Sequence, residues 1–347
     1  MRRRDVSGMV RREELRAAAA ICAALVGAGF ASGREIEAFF TRLGAGSWLS
    51  VIAACAGLGL LTYVLLTLAR HTRAASFPDL YGRLMDSRCR YVMHLFFGLL
   101  TLITAAAMIA AGGELGALAL DWHEARLIGC AAVLLAGVML AASGVSALGR
   151  LGLMMAVCIA GVYTALALAQ RAGTPSSFSV EGMAAAVPMG LLYAAFNGAL
   201  AGGVTVAAAK EGVRPAQTGL LVAAVMLAMF VPANTALLRC GDQTRRMALP
   251  TVAMAACWGV VGYYIVIVLM LLAVLTTLGA MLSSLRDQAT ALGLLRPAAL
   301  LLPAATALLM SVCGFETLVN VFYPLLGWVC AFALLSLMFC WPDNRVK

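Results

Sequence analysis

The stretch that decides the fold is VGAGFASGREIEAFF, residues 26–40. It continues a mostly apolar run, yet it holds Gly27, Gly29 and Gly33 and then Arg34, Glu35 and Glu37. Each glycine weakens a helix by about 0.5–1 kcal/mol relative to alanine. A charge at membrane depth must face protein or a water-filled cavity. The stretch therefore reads as a break. One half-helix ends near Val26, residues 27–33 unwind, and a second half-helix starts at Ser32 or Gly33. Ser32-Gly33-Arg34-Glu35 fits the S-x-x-E capping box, with Ser32 accepting from the backbone N–H of Glu35. Acidic residues also suit the positive end of a helix dipole. Glu35 can equally face a solute or a gating partner, with Arg34 beside it as a gate. Both roles stay open.

The rest of the chain is built to match. Of its 347 residues 63% are hydrophobic and 12% charged, with a mean hydropathy of +0.95, which indicates an all-α polytopic membrane protein. At about 20 apolar residues per crossing, ten spans are expected, over 15–41, 47–69, 91–119, 127–143, 147–169, 184–209, 216–238, 249–284, 298–313 and 317–341. The basic start 1–14 and the tail 342–347 flank two groups of five, 15–170 and 184–341. The first span runs into charges rather than a small-residue cleavage site, so it is expected to be retained.

Charge position orients the chain. With the N-terminus inside, only Arg42, Arg126, Arg171, Arg239, Arg245 and Arg246 fall outside, and Arg34 lies within the first span. All the other Lys and Arg are cytoplasmic, which is the positive-inside asymmetry and places both termini in the cytoplasm. The net charge of +9 is thus topology and not a nucleic-acid footprint. Ten cysteines without a CxxC, and His71, His94 and His123 without metal spacing, argue against zinc chemistry. Neither a nucleophile–base set nor a GxxxxGK[ST] loop appears, so an enzyme or a nucleotide-driven pump is not expected.

A ten-span carrier is often two inverted halves, and paired interruptions mark its binding site. Span six, LLYAAFNGALAGGVTVAAAK (191–210), carries Asn197-Gly198 and Gly202-Gly203 where span one carries its break. Small-residue packing would account for such glycines too. Span eight holds LAVLTTLGAML (272–282), where the carbonyl of Ala273 lies beside the side chains of Thr276 and Thr277. Three neutral oxygens suit a small hard cation such as Na⁺. Alternatively, both threonines bond back to carbonyls one turn earlier.

VGAGFASGREIEAFF, MIAAGGELGA, LLYAAFNGA, TTLGAM and YPLLGW together resemble the YkvI-like bacterial membrane proteins of the amino acid–polyamine–cation superfamily. The resemblance implies the LeuT-type fold, a 5+5 inverted repeat with spans one and six broken, in a bacterial cytoplasmic membrane. It implies a sodium site built from the carbonyls of Ala23, Val26 and Ala273 and the hydroxyls of Thr276 and Thr277. It also implies a solute site on the backbone of Gly27, Ala28, Gly29, Ser32 and Gly33, lined from span six by Tyr193, Phe196 and Asn197. Proton-coupled relatives often place a span-five lysine at the sodium position, and residues 147–169 contain none. Arg34-Glu35-Ile36 departs from the pattern of amino-acid carriers and leaves the pocket open to a zwitterion or a cationic amine. Glu114 is a further buried acid by depth. The expected function is Na⁺-coupled symport of an amino acid or similar small organic solute. The alternative is a nutrient sensor on a transporter fold. Oligomeric state is not legible.

Overall fold

The computed structural model describes residues 12–143, 146–170 and 180–339, and among these residues all regular structure is helical. Residues 1–11, the connection 171–179 and the tail 340–347 lie outside them. The helices in chain order are α1 (Arg12–Leu25), α2 (Ala28–Ser32), α3 (Arg34–Phe39), α4 (Ser47–Thr72), α5 (Phe77–Leu84), α6 (Ser87–Leu120), α7 (Ala125–Ser143) and α8 (Ser146–Ala169). After them come α9 (Val180–Leu200), α10 (Gly202–Ala208), α11 (Pro215–Arg239), α12 (Asp242–Arg245), α13 (Pro250–Ala255), α14 (Gly259–Ala291), α15 (Arg296–Ser311), α16 (Phe315–Thr317) and α17 (Tyr323–Phe339).

Seven helical stretches among the described residues are long and apolar enough to cross a bilayer, and Met154–Ala169 and Arg296–Ser311 are shorter apolar helices. The first apolar run is cut into α1, α2 and α3, so no single rod represents it.

Three expected boundaries change. The stretch 249–284 lies within one apolar helical run, 250–290, that is long enough to cross a bilayer, but it is not one uniform helix: α13 and a 3₁₀ turn (Ala256–Trp258) precede Gly259, whose φ of 71° turns the chain into α14, which continues to Ala291. The turn is marked in the sequence only by Gly259 within an otherwise apolar run. The tenth stretch begins at α16 and passes through a π-helical segment, Leu318–Phe322, before α17. Span six is the third, and it bears on the site. α9 runs through Asn197 and Gly198 to Leu200, and only Ala201 separates it from α10. The ladder nearly continues there, since the Ala201 N–H donates to Asn197 O (2.9 Å) and the Thr205 N–H to Ala201 O (3.0 Å). Asn197 and Gly198 are therefore helical, and the interruption of span six is a single-residue offset.

Two sets of helices pack side by side. α4 lies against α9 and α11, with α1 also on α11; α6, α7, α14 and α15 form the other set, and α8 bridges α11 and α14. The contacts inside each set are close because small residues line them. A Cβ added to Gly190 of α9 would sit within contact of the Ser50 carbonyl of α4 and 2.9 Å from Ala53 Cβ.

At the end of the molecule where α1 begins, α5 connects α4 to α6. Ser76 caps it by accepting from the Asp79 N–H, with Pro78 in its first turn. Burial alone would push the Asp79 carboxyl up, but the Ala75 N–H and the Arg83 guanidinium, each at 2.8 Å, hold it below its ordinary value.

Candidate functional site

Span one breaks twice rather than unwinding throughout 27–33. Helix α1 stops at Leu25, Val26 and Gly27 are non-helical, α2 forms one turn, and Gly33 then takes φ 81° and ψ −8° before α3. That left-handed conformation favours glycine. Space excludes other residues as well, since an added Cβ would stand 2.9 Å from Thr251 Oγ1 and 3.3 Å from Tyr163 OH. The expected capping box does not form. Ser32 Oγ donates to Gly29 O (2.7 Å) and accepts from the Arg34 N–H (3.1 Å), so it bridges the break without reaching Glu35. The second half-helix starts at Arg34, just past the predicted Ser32 or Gly33. Carbonyls freed at this break are met by Tyr163 of α8, whose hydroxyl lies 2.8 Å from Phe30 O, 3.1 Å from Ala31 O and 2.8 Å from Thr251 Oγ1.

Glu35 turns inward. Its carboxyl occupies the space that a side chain on Gly29 would fill, which explains that glycine. The residue is 5% exposed, and Glu35 Oε2 makes no hydrogen bond. Tyr193 of α9 and Tyr323 of α17 are as deeply buried, and their hydroxyls are unpaired as well. Aromatic rings close around them: Tyr193 lies 4.9 Å from Phe40, 5.4 Å from Phe39 and 5.3 Å from Phe230, and Tyr323 stacks 4.4 Å from Phe196. Buried polar atoms are normally satisfied. Here three unsatisfied ones lie together next to the span-one break. Of the expected span-six residues, Tyr193 and Phe196 pack in this cluster, and Asn197 donates its amide to Tyr193 O (3.3 Å).

Of the elements expected to supply cation ligands, the first-span break meets α14 at one point. A Cβ on Gly27 would lie 3.6 Å from both Thr277 Cγ2 and Thr277 Oγ1, so the first break of span one faces the second threonine of α14. Ala23 stands one turn earlier in α1, where a Cβ on Gly152 of α8 would come 3.9 Å from its carbonyl. Val26 lies in the break itself, its N–H still donating to Cys22 O (2.9 Å). Thr276 makes the back-bonds of the alternative reading, donating to Leu272 O (2.9 Å) or Ala273 O (3.0 Å). Donation uses the hydroxyl proton and leaves the oxygen lone pairs able to accept, so the two readings are compatible at Thr276.

Arg34 and Glu35 face different surroundings. Arg34, itself buried, pairs with the exposed Glu316 of α16 (2.5 Å) and donates to the carbonyls of Arg245 and Met247, each at 3.3 Å. One side chain thus ties α3 to α16 and to the connection around α12. At the opposite end, Glu14 of α1 is 1% exposed and receives Arg214, which precedes α11, through Nε (2.6 Å) and Nη2 (3.0 Å). Glu114 pairs with Arg126 at 2.9 Å near the turn between α6 and α7, away from the breaks. The sequence reading missed Tyr163, Thr251, Tyr323, Glu316 and the Glu14–Arg214 pair. Only Tyr323, inside YPLLGW, lay in a stretch already singled out.

No family model matches the chain, and a search of curated proteins finds no relative. Among solved structures, the chain is similar to MHP1, a nucleobase-cation-symport-1 family transporter in a closed conformation with bromovinylhydantoin bound. The likeness has a TM-score of 0.55 at 16% identity and covers 90% of this chain and 74% of that one. Identity this low speaks to the fold alone. The chain is a multi-pass, all-helical membrane protein with the fold of a cation-symport transporter.

Proposed function

We propose that the chain is a secondary active transporter of the LeuT type, related to the YkvI-like proteins. It crosses a bacterial cytoplasmic membrane ten times in two inverted groups of five, with both termini inside. A small organic solute, an amino acid or similar amine, is carried with Na⁺ by alternating access. One observation carries the reading: the break at Val26–Gly27 is packed against Thr277, so freed backbone oxygens and a span-eight hydroxyl lie together beside the buried cluster of Glu35, Tyr193 and Tyr323. The oxygens that would receive Na⁺ are the carbonyls of Ala23, Val26 and Ala273 and the hydroxyls of Thr276 and Thr277. All are neutral, which suits a small hard monovalent ion. Coupling needs only that the ion prefer one conformer, and about 1.4 kcal/mol of preference is a tenfold bias. The solute would sit between α2 and α9, where backbone of Gly27, Ala28, Gly29, Ser32 and Gly33 meets Tyr193 and Phe196.

The test is sodium-gradient-driven uptake of labelled amino acids into proteoliposomes. Accumulation that T276A/T277A removes, with the protein still inserted, is the expected result. Uptake indifferent to sodium would remove the coupling, and binding without accumulation would identify a receptor on a transporter fold.

A further inference from the structure

The buried acid raises a question that sodium at spans one and eight does not answer. Among the described residues Glu35 makes no ion pair, although Arg34 is its chain neighbour. Arg34 is committed to Glu316 and two carbonyls. From the helices packed around the carboxyl, the titratable groups facing it are all phenols: Tyr163 of α8, Tyr193 of α9 and Tyr323 of α17. Cys55 of α4 lies beyond Tyr193, and Glu37 on the same helix faces Arg34, Arg42, Arg245 and Arg246 instead. An ionised carboxylate here would be an unpaired charge within a closed apolar shell, at a cost of several kcal/mol. Tyr163 spends its hydroxyl on the span-one carbonyls and Thr251, so it offers little relief.

We propose that Glu35 carries a proton in this closed arrangement, and that the chain therefore has a proton site separate from the Ala273–Thr277 cation site. The proton comes from water when the pocket is open to one side and returns to water when it opens to the other. No bond other than the carboxyl O–H forms or breaks. In the neutral acid the O–H becomes a donor, and the orphaned oxygens of Tyr193 and Tyr323 are acceptors for it. Closure then favours the protonated form, and opening, which readmits water, permits release. This goes beyond the sodium reading and stands whether or not that reading holds.

The experiment is infrared spectroscopy of the full chain in liposomes, with no solute added, comparing wild type with E35Q at pH 7. The neutral-carboxyl C=O band is expected in wild type, absent from E35Q, and shifted in frequency by Y193F or Y323F. Loss in E35Q of an ionised-carboxylate band, with the neutral-acid region unchanged, would overturn the proposal. If E35Q fails to insert, a neutral-acid region in wild type that neither tyrosine variant moves would also overturn it. The sodium dependence of uptake is read separately, with T276A/T277A, so failure of either site leaves the other decided on its own data.

Discussion

Glycines at the first-span breaks act through different physics, and single substitutions separate them. Gly33 combines a φ of 81° with two hydroxyls at its Cα, so G33A meets both backbone strain and a clash. A loss of roughly 1–3 kcal/mol of stability is expected, read as a fall in Tm of the purified protein. Adding T251A should recover only part of it, because it opens space and leaves φ unchanged. Gly29 has an ordinary helical backbone; what forbids a side chain there is the Glu35 carboxyl. The sequence announced a break because glycines and charges at depth are costly without a purpose. It could not say where Glu35 would point. That depended on Ser32 bonding to the Arg34 N–H and on Arg34 finding Glu316, a residue 282 positions away. Short-range capping rules see four residues, and the partner that decided the matter came from the other end of the chain.

At the scale of elements, hydropathy located the apolar rods well and their interruptions poorly. The turn at Gly259 inside the eighth stretch went unmarked, and the span-six interruption expected around 197–203 was placed only to within a few residues of Ala201, because composition is blind to hydrogen bonding in an apolar run. In α9 the helix keeps its ladder through Asn197, whose carbonyl accepts from the Ala201 N–H (2.9 Å). Packing of α9 on α4 is where glycine is needed. G190A would press a methyl against the Ser50 carbonyl, and backbone yields little, so a loss of about 1–3 kcal/mol is expected. The loss should appear as a lower Tm, with sodium-dependent stabilisation retained if the site itself is untouched. For α5 the effect is smaller and depends on pH. The Asp79 carboxyl is held below its ordinary value of 3.8, so its contribution is complete above that pH and fades as pH falls through the lower, folded value. D79N should therefore loosen α5 at neutral pH by no more than about 1 kcal/mol. Amide exchange over residues 77–84 checks it.

For the whole molecule, the two long-range ion pairs bracket the buried cluster from opposite ends, and the proposed alternating access would make them antagonists. Glu316 is 57% exposed, so the charge interaction with Arg34 is itself worth only about 0–1 kcal/mol. Arg34 also holds the carbonyls of Arg245 and Met247, and R34A removes all three links at once. R34A should therefore open that end more than E316Q does. E14Q keeps the shape of the buried side chain while removing the charge that receives Arg214, so it should open the other end. Each opened state is a different conformer, and a change that favours one lowers the population of its rival. Amide hydrogen exchange on reconstituted protein reads both ends in one experiment. In R34A, exchange should rise over residues 34–46 and 241–258 and fall over 12–25 and 209–218. E14Q should give the reverse pattern. Parallel increases at both ends in both variants would mean that the pairs only stabilise the fold, because loosening without opposition is local fraying and cannot carry a solute from one face to the other.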